Sequence, residues 1–345
     1  MNTVKKMKTL VVIAFSTVLL QGCFEAPNTE STQTGYRGTG MLSTKNEGTV
    51  SALKVKNELP PMAAAIPDNG VGPRARDVFQ NVQVLGDLSV AEFTTTMVAI
   101  TEWVAPEQGC TYCHAGANFA EDDLYTKTVS RRMMQMTRDI NANWQSHVGD
   151  TGVTCLTCHR GNNVPEYIWF NEDGPETASG MSAKSYQQNH AAMDVGSTSM
   201  LSDPFSKYLQ EDPAPIRVVA QNALPYKNTP SKSSTQATED TYSLMIHMSE
   251  SLGVNCTACH NTRAFTSWEQ SPPARMTAWH GLQMVPELNK TYLEPLGSTY
   301  PEHRLGALGD APKVSCATCH QGVNKPFYGE SMLDAYPAWK GAKSE

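Results

Sequence analysis

Apolar residues along this chain fall into separated stretches, and most recur at helical rather than strand spacing. Across residues 124–142 the positions Val129, Met133, Met136 and Ile140 return every three or four residues, which predicts a helix with one buried face. Residues 275–288 carry a similar pattern and predict another helix. Two shorter segments, 97–102 and 245–250, read as helices that run into loops. Residues 215–220 (Pro-Ile-Arg-Val-Val-Ala) read as a short strand, and Pro225 and Pro230 bracket a loop. The remainder of 171–239 is rich in Ser, Gln, Asp and Pro, and the tail after Trp339 is polar. The pattern predicts a mainly α fold with long loops.

The first residues belong to targeting rather than to the fold. Lys5, Lys6 and Lys8 precede an apolar run from Thr9 to Leu20. That run is shorter than the roughly 20 residues needed to span a bilayer, so it reads as a signal peptide, residues 1–22. It ends in Leu20-Gln21-Gly22-Cys23, which resembles a bacterial lipobox, the signal for cleavage before the cysteine and acylation of its thiol. An ordinary signal with an incidental Cys23 and an uncleaved signal acting as a weak anchor are the alternatives. Residues 23–69 are Thr-, Ser-, Gly- and Asn-rich with little periodicity, and read as a tether or an extended strap over a partner.

Composition narrows the classes. Apolar residues make up 40% and charged residues 18%, ordinary for a globular protein. The formal net charge is −7, which argues against nucleic acid as a partner.

The cysteines carry the chemistry. Eight of the nine fall into four C-x-x-C-H units, and only Cys23 stands apart. The units are Cys110-Thr-Tyr-Cys113-His114, Cys155-Leu-Thr-Cys158-His159, Cys256-Thr-Ala-Cys259-His260 and Cys316-Ala-Thr-Cys319-His320. A disulfide framework would leave the four histidines unexplained. Two thiols separated by two residues match the two vinyl groups of a haem, and the next residue supplies an imidazole to the iron. Four such units imply four covalently bound c-type haems.

Internal repetition suggests the sixth ligands. Met97-Val-Ala-Ile-Thr-Glu102 matches Met245-Ile-His-Met-Ser-Glu250, and these methionines lie 13 and 11 residues before Cys110 and Cys256. Met248 rivals Met245, but its counterpart Ile100 cannot bind iron. Met136-Thr-Arg-Asp-Ile-Asn141 matches Met284-Val-Pro-Glu-Leu-Asn289. The earlier helix offers Met133, Met134 and Met136, and position 133 corresponds to Gly281. If Met133 serves the second haem, the fourth must borrow a ligand; His147 is the natural lender and His280 its rival. The second and fourth haems are then neighbours, an approximate two-fold relates two dihaem halves, and the spatial order is one, two, four, three.

With these features the chain resembles the tetra-haem cytochrome subunit of the photosynthetic reaction centre of purple bacteria and their relatives. The resemblance extends from about Pro60 to Tyr336 and rests on the lipobox, the upstream methionines and motif histidines spaced 45, 101 and 60 residues apart. It implies three His/Met haems and one His/His haem, with Met97, Met133, Met245 and His147 as distal ligands. It further implies a lipid-anchored protein on the periplasmic face of the photosynthetic membrane. Such a protein binds the L and M subunits and re-reduces the oxidised bacteriochlorophyll special pair. The third haem would lie nearest the pigment. The first would face a soluble c-type cytochrome or a high-potential iron–sulfur protein, with Glu121, Asp122 and Asp123 steering a basic donor. Arg275 would contact a haem propionate. The expected organisation is a first dihaem half at 70–170, a connecting region at 171–237 and a second dihaem half with its tail at 238–345. The rival readings are a general periplasmic respiratory carrier, which would favour His/His ligation, and a multihaem redox enzyme, which needs an open iron. Each iron has a candidate sixth ligand, so an electron carrier rather than an enzyme is expected.

Overall fold

The computed structural model describes residues 28–61, 66, 70–116, 118–171, 205–210, 216 and 235–341. The signal segment, Cys23 and most of the connecting region, including all of the strand expected at 215–220 except Ile216, lie outside these residues. The described part is mainly helical, with one two-stranded sheet.

Strands β1 (Thr29–Thr34) and β2 (Met41–Asn46) pair antiparallel, with Thr29 opposite Asn46 and Thr34 opposite Met41. Asn46 caps the helix that follows, α1 (Glu47–Lys56), by accepting from the Gly48 amide at 2.8 Å. A tether or an extended strap over a partner was expected here; the described residues 28–61 fold and lie on the chain's own body. The Met41 amide donates to Thr257 Oγ1 at 3.1 Å, and Thr257 Oγ1 donates to the Thr34 carbonyl at 3.0 Å. Gly35 crosses Thr257 with φ +79°, and a Cβ there would stand 2.6 Å from the Thr257 carbonyl oxygen. Asn57, after α1, donates to the Gln321 carbonyl, and Arg160 donates to Asn57 Oδ1 and the Lys56 carbonyl. The strap thus touches the second, third and fourth motifs. Backbone, hydroxyl, amide and guanidinium groups make these contacts, so hydrophobic periodicity carried no trace of them.

Helix α2 (Val90–Val104) starts at Ser89, whose hydroxyl accepts from the Glu92 amide, and buries Glu92, Thr96, Ala99 and Trp103 on one face. Helix α3 (Tyr125–Asn143) covers the segment expected from its periodicity. The second motif forms the single-turn α4 (Cys155–His159). Helices α5 (Thr235–Leu252) and α6 (Ala274–Leu288) follow, and the fourth motif forms α7 (Cys316–His320).

The helix before the first motif packs on the second motif, and the helix before the third packs on the fourth. The Gly161 amide, just after α4, donates to the Trp103 carbonyl of α2 at 2.9 Å. The Gly322 amide, just after α7, donates to the Ser251 carbonyl of α5 at 2.8 Å. Two buried asparagines at equivalent positions tie α3 and α6 to the strand-like residue before a motif. Asn141 pairs its amide with both backbone groups of Val153, and Asn289 does the same with Val314.

The core forms two clusters. One joins Met136, Ile140, Leu244, Leu282, Val285 and Leu288 with Phe205, Tyr208 and Leu209. The other joins Ala99, Trp103, Met134 and Leu156 with Phe327, Met332, Leu333, Tyr336 and Trp339. Residues 327–339, expected within the second half, therefore close the core of the first. Trp103 and Tyr336 meet edge-on with centroids 4.8 Å apart, and Asn141 Nδ2 donates to the Trp339 carbonyl at 2.8 Å.

Candidate functional site

The four C-x-x-C-H units adopt two local geometries, and the flanking residues decide which. In the second and fourth, a hydroxyl residue precedes the first cysteine and a threonine precedes the second. Thr154 with Thr157, and Ser315 with Thr318, close reciprocal capping boxes that hold one α-helical turn. The turn ends in a left-handed residue, Arg160 or Gln321. The first and third motifs lack this pair and form 3-10 turns, Gly109–Tyr112 and Cys256–Ala258.

Every motif histidine is oriented through Nδ1. In the α-type motifs His159 meets the Asn162 carbonyl at 2.9 Å and His320 the Val323 carbonyl at 3.1 Å. In the 3-10 type the partner lies five residues on: His114 meets the Phe119 carbonyl at 3.1 Å and His260 the Phe265 carbonyl at 2.9 Å. A proton on Nδ1 donating to a carbonyl leaves the Nε2 lone pair for a metal, the arrangement metal-binding imidazoles require.

The 3-10 motifs share a further shell that sequence reasoning missed. Phe119 stacks on His114 with centroids 4.5 Å apart, and Phe265 on His260 at 4.9 Å. A cation then seals each loop. Lys127 Nζ donates to the Phe119 and Glu121 carbonyls, and Arg275 donates to the Phe265 and Ser267 carbonyls. The phenylalanine five residues after each motif histidine was the available sequence signal. Arg275 also stacks on Trp268 at 4.1 Å, so its described contacts order the loop beside His260.

The acidic run after the first motif divides its roles. Asp122 pairs with Lys127 at 3.0 Å and Arg131 at 2.9 Å, and those hydrogen bonds together with Asn81 hold its carboxyl far below the usual range. Glu121 accepts from Asn118 at 2.9 Å, and Glu121 and Asp123 are exposed.

One cavity of about 910 Å³ reaches a cysteine of every motif: Cys113, Cys158, Cys259 and Cys319. Its volume falls in the range of cofactor pockets. The one-turn helices α4 and α7 contact each other directly, so the second and fourth motifs are neighbours. Met133, Met134 and Met136 all line this cavity, but Met134 and Met136 are buried in the two core clusters while Met133 is half-exposed. Met97 on α2 and Met245 on α5 are half-buried against the two clusters and lie outside the cavity wall. One turn beyond Met97, Thr101 Oγ1 lies 4.0 Å from Cys110 Sγ.

His147 faces His320. The ring centroids are 5.9 Å apart with planes at 69°. Two metal–nitrogen bonds of about 2 Å plus the two ring radii require about 6 Å, so the spacing of the rings is compatible with a single iron between them. Nδ1 of His147 meets the Thr277 carbonyl of α6 at 2.9 Å. Burial, then the facing His147, push the His320 imidazole down to about 4, so it is neutral and keeps its lone pair. Gly281 makes the space: a Cβ there would stand 2.6 Å from His147 Cε1 and 2.9 Å from Nδ1. His280, the rival, is half-buried on α6 beside it. The thiol positions, the oriented imidazoles and the cavity together fit covalently attached haem.

Comparison with known proteins agrees with this chemistry. The family model for the photosynthetic reaction centre cytochrome C subunit matches residues 25–340. The photosynthetic reaction center cytochrome c subunit of Rubrivivax gelatinosus is 49% identical over 337 residues, covering 98% of this chain and 90% of that protein. Its counterpart in Thermochromatium tepidum is 45% identical over 337 residues, covering 98% and 81%. That of Roseobacter denitrificans is 42% identical over 338 residues, covering 95% and 90%. A cytochrome c subunit carries covalent haem on C-x-x-C-H units, and this chain displays such units with oriented imidazoles around a shared cavity. It belongs to the photosynthetic reaction centre cytochrome c subunit family.

Proposed function

We propose that this chain re-reduces the photo-oxidised special pair of a reaction centre, using four covalent haems and a soluble periplasmic electron donor. The observation that carries the proposal is the single cavity reaching a cysteine of all four motifs in a member of this family. Bound haems would supply one-electron redox centres; the protein's part is to attach them, fix their axial groups and keep water out.

His114, His159, His260 and His320 act as proximal ligands, each steered by its carbonyl partner. Met97, Met133 and Met245 serve as distal ligands for the first, second and third sites, and His147 for the fourth. Thioether ligands raise the potential and a second imidazole lowers it, so the four sites differ in potential by construction. The paired α-type and 3-10-type motifs, and the paired Asn141 and Asn289, support two dihaem halves related by an approximate two-fold.

The exposed Glu121 and Asp123 steer a basic donor to the first site, while Asp122 holds the loop in shape. Arg275 orders the third-motif loop, and its place beside His260 supports a propionate contact. Partner surfaces on L and M subunits and acylation at Cys23, on the outer face of the membrane, complete the reading. No helix among the described residues is long and apolar enough to cross a membrane.

A single-turnover flash on native membranes tests the proposal by following haem α-band absorbance. A haem that is oxidised as the pigment cation disappears supports it. Haems that titrate normally but ignore the flash would make the chain a carrier for another pathway.

A further inference from the structure

Four hydrogen-bond donors in the cavity wall have no protein acceptor among the described residues. Tyr112 sits between Cys110 and Cys113, Tyr125 opens α3, and Tyr300 and Arg304 come from the segment after α6. The Tyr125 and Tyr300 rings meet edge-on with centroids 6.2 Å apart, and Tyr112 and Tyr300 both lie within the field of Arg304. None of the four side chains makes a hydrogen bond or ion pair among the described residues.

A guanidinium has donors only and keeps its charge at any ordinary pH. Leaving one half-buried and unpaired beside an apolar cavity is costly, and buried phenols also normally find a partner. Burial, with the neighbouring tyrosines, pushes the Tyr300 hydroxyl up to about 12, so it stays a neutral donor. The group that satisfies one guanidinium and converging phenols is a carboxylate. Haem is the carboxylate-bearing group that fits this cavity.

We infer that Tyr112, Tyr125, Tyr300 and Arg304 hold a propionate of a haem attached in the first half of the chain. The inference rests on the four-haem reading. It also gives segment 300–304, which follows the third motif, a role at a haem of the first half. A cation and donors beside the propionate favour the reduced haem, which carries one more electron. Arg304 and the tyrosines therefore raise that haem's potential.

The test uses the full-length holoprotein, with haem stoichiometry measured on the wild type as a separate check of the four-haem reading. Each haem is then titrated in Arg304→Gln, Arg304→Lys and Tyr300→Phe. With four haems retained, Arg304→Gln lowers the reduction constant of one first-half haem about tenfold, a shift of about 59 mV for one electron. Tyr300→Phe moves the same haem in the same direction by less, and Arg304→Lys recovers most of the loss. Four unchanged potentials in Arg304→Gln overturn the inference, as does a shift confined to the haems of the third and fourth motifs. If Arg304→Gln fails to retain haem, Tyr300→Phe decides, because it removes only a hydroxyl; an unchanged titration there overturns the inference equally.

Discussion

Gly281→Ala is a small change with a large expected effect. In an exposed helix, alanine in place of glycine gains about 1 kcal/mol. At this position the new methyl group would sit 2.6 Å from His147 Cε1, against a comfortable carbon–carbon separation of about 3.5–4.0 Å. His147 must retreat by about 1 Å. With His147 as the proposed distal ligand of the fourth haem, an iron–nitrogen bond of about 2 Å would not stretch that far, and the Nδ1 bond to the Thr277 carbonyl, 2.9 Å, is lost with the ring's position. Overpacking costs about 1–3 kcal/mol, and the lost hydrogen bond about 1 kcal/mol. Set against the helical gain, the net destabilisation is about 1–3 kcal/mol. Low-temperature electron paramagnetic resonance of the oxidised protein should show one low-spin haem replaced by a high-spin or re-ligated species, with the other three unchanged. The double mutant cycle with His147→Ala isolates the cause. Once the ring is removed, Gly281→Ala should become neutral or stabilising. A Gly281→Ala protein with an unaltered spectrum and melting temperature would refute both the steric argument and His147 as a ligand.

Met245→His should lower the potential of the third haem and slow pigment re-reduction, as followed by redox titration and flash kinetics; an unchanged titration removes Met245 from the ligand set. Asn289→Ala breaks buried bonds to Val314 and to the Leu209 carbonyl and should cost about 2–4 kcal/mol in thermal unfolding; a change below about 0.5 kcal/mol would show that the asparagine bridge does not hold α6. Asp122 has a depressed pKa, so its contribution is present above the ordinary carboxylate value of about 3.9 and is lost as pH falls towards the folded-state value. Asp122→Asn should thus flatten the acid limb of the stability profile below about pH 4, and an unaltered acid limb would count against the Lys127–Asp122–Arg131 cluster.

Much of the site was written in local spacing, because haem attachment is a local chemical requirement. Two thiols and an imidazole must lie within five consecutive residues, so all four motifs were legible. The helices of residues 124–142 and 275–288 were legible for the same reason, since an amphipathic face declares itself every three or four residues. The repeat alignment already singled out position 281, where glycine stands opposite Met133. What the repeat could not supply was the reason, a glycine hollow that admits the His147 ring from another element.

Other features belong to distance rather than sequence. Asn141 and Asn289 look like ordinary polar helix ends until Val153 and Val314 are placed against them. Residues 327–339 follow the fourth motif in the chain, yet Trp339 is fully buried in the core of the first half. The hairpin and α1 carry little hydrophobic periodicity because backbone and polar side-chain groups hold them to the motifs. Covalent haem chemistry is encoded between neighbours in the chain and is therefore fixed by sequence alone. The approach of His147 to His320, strap docking and closure of the cores are set by long-range packing and hydrogen bonds, and only the folded chain decides them.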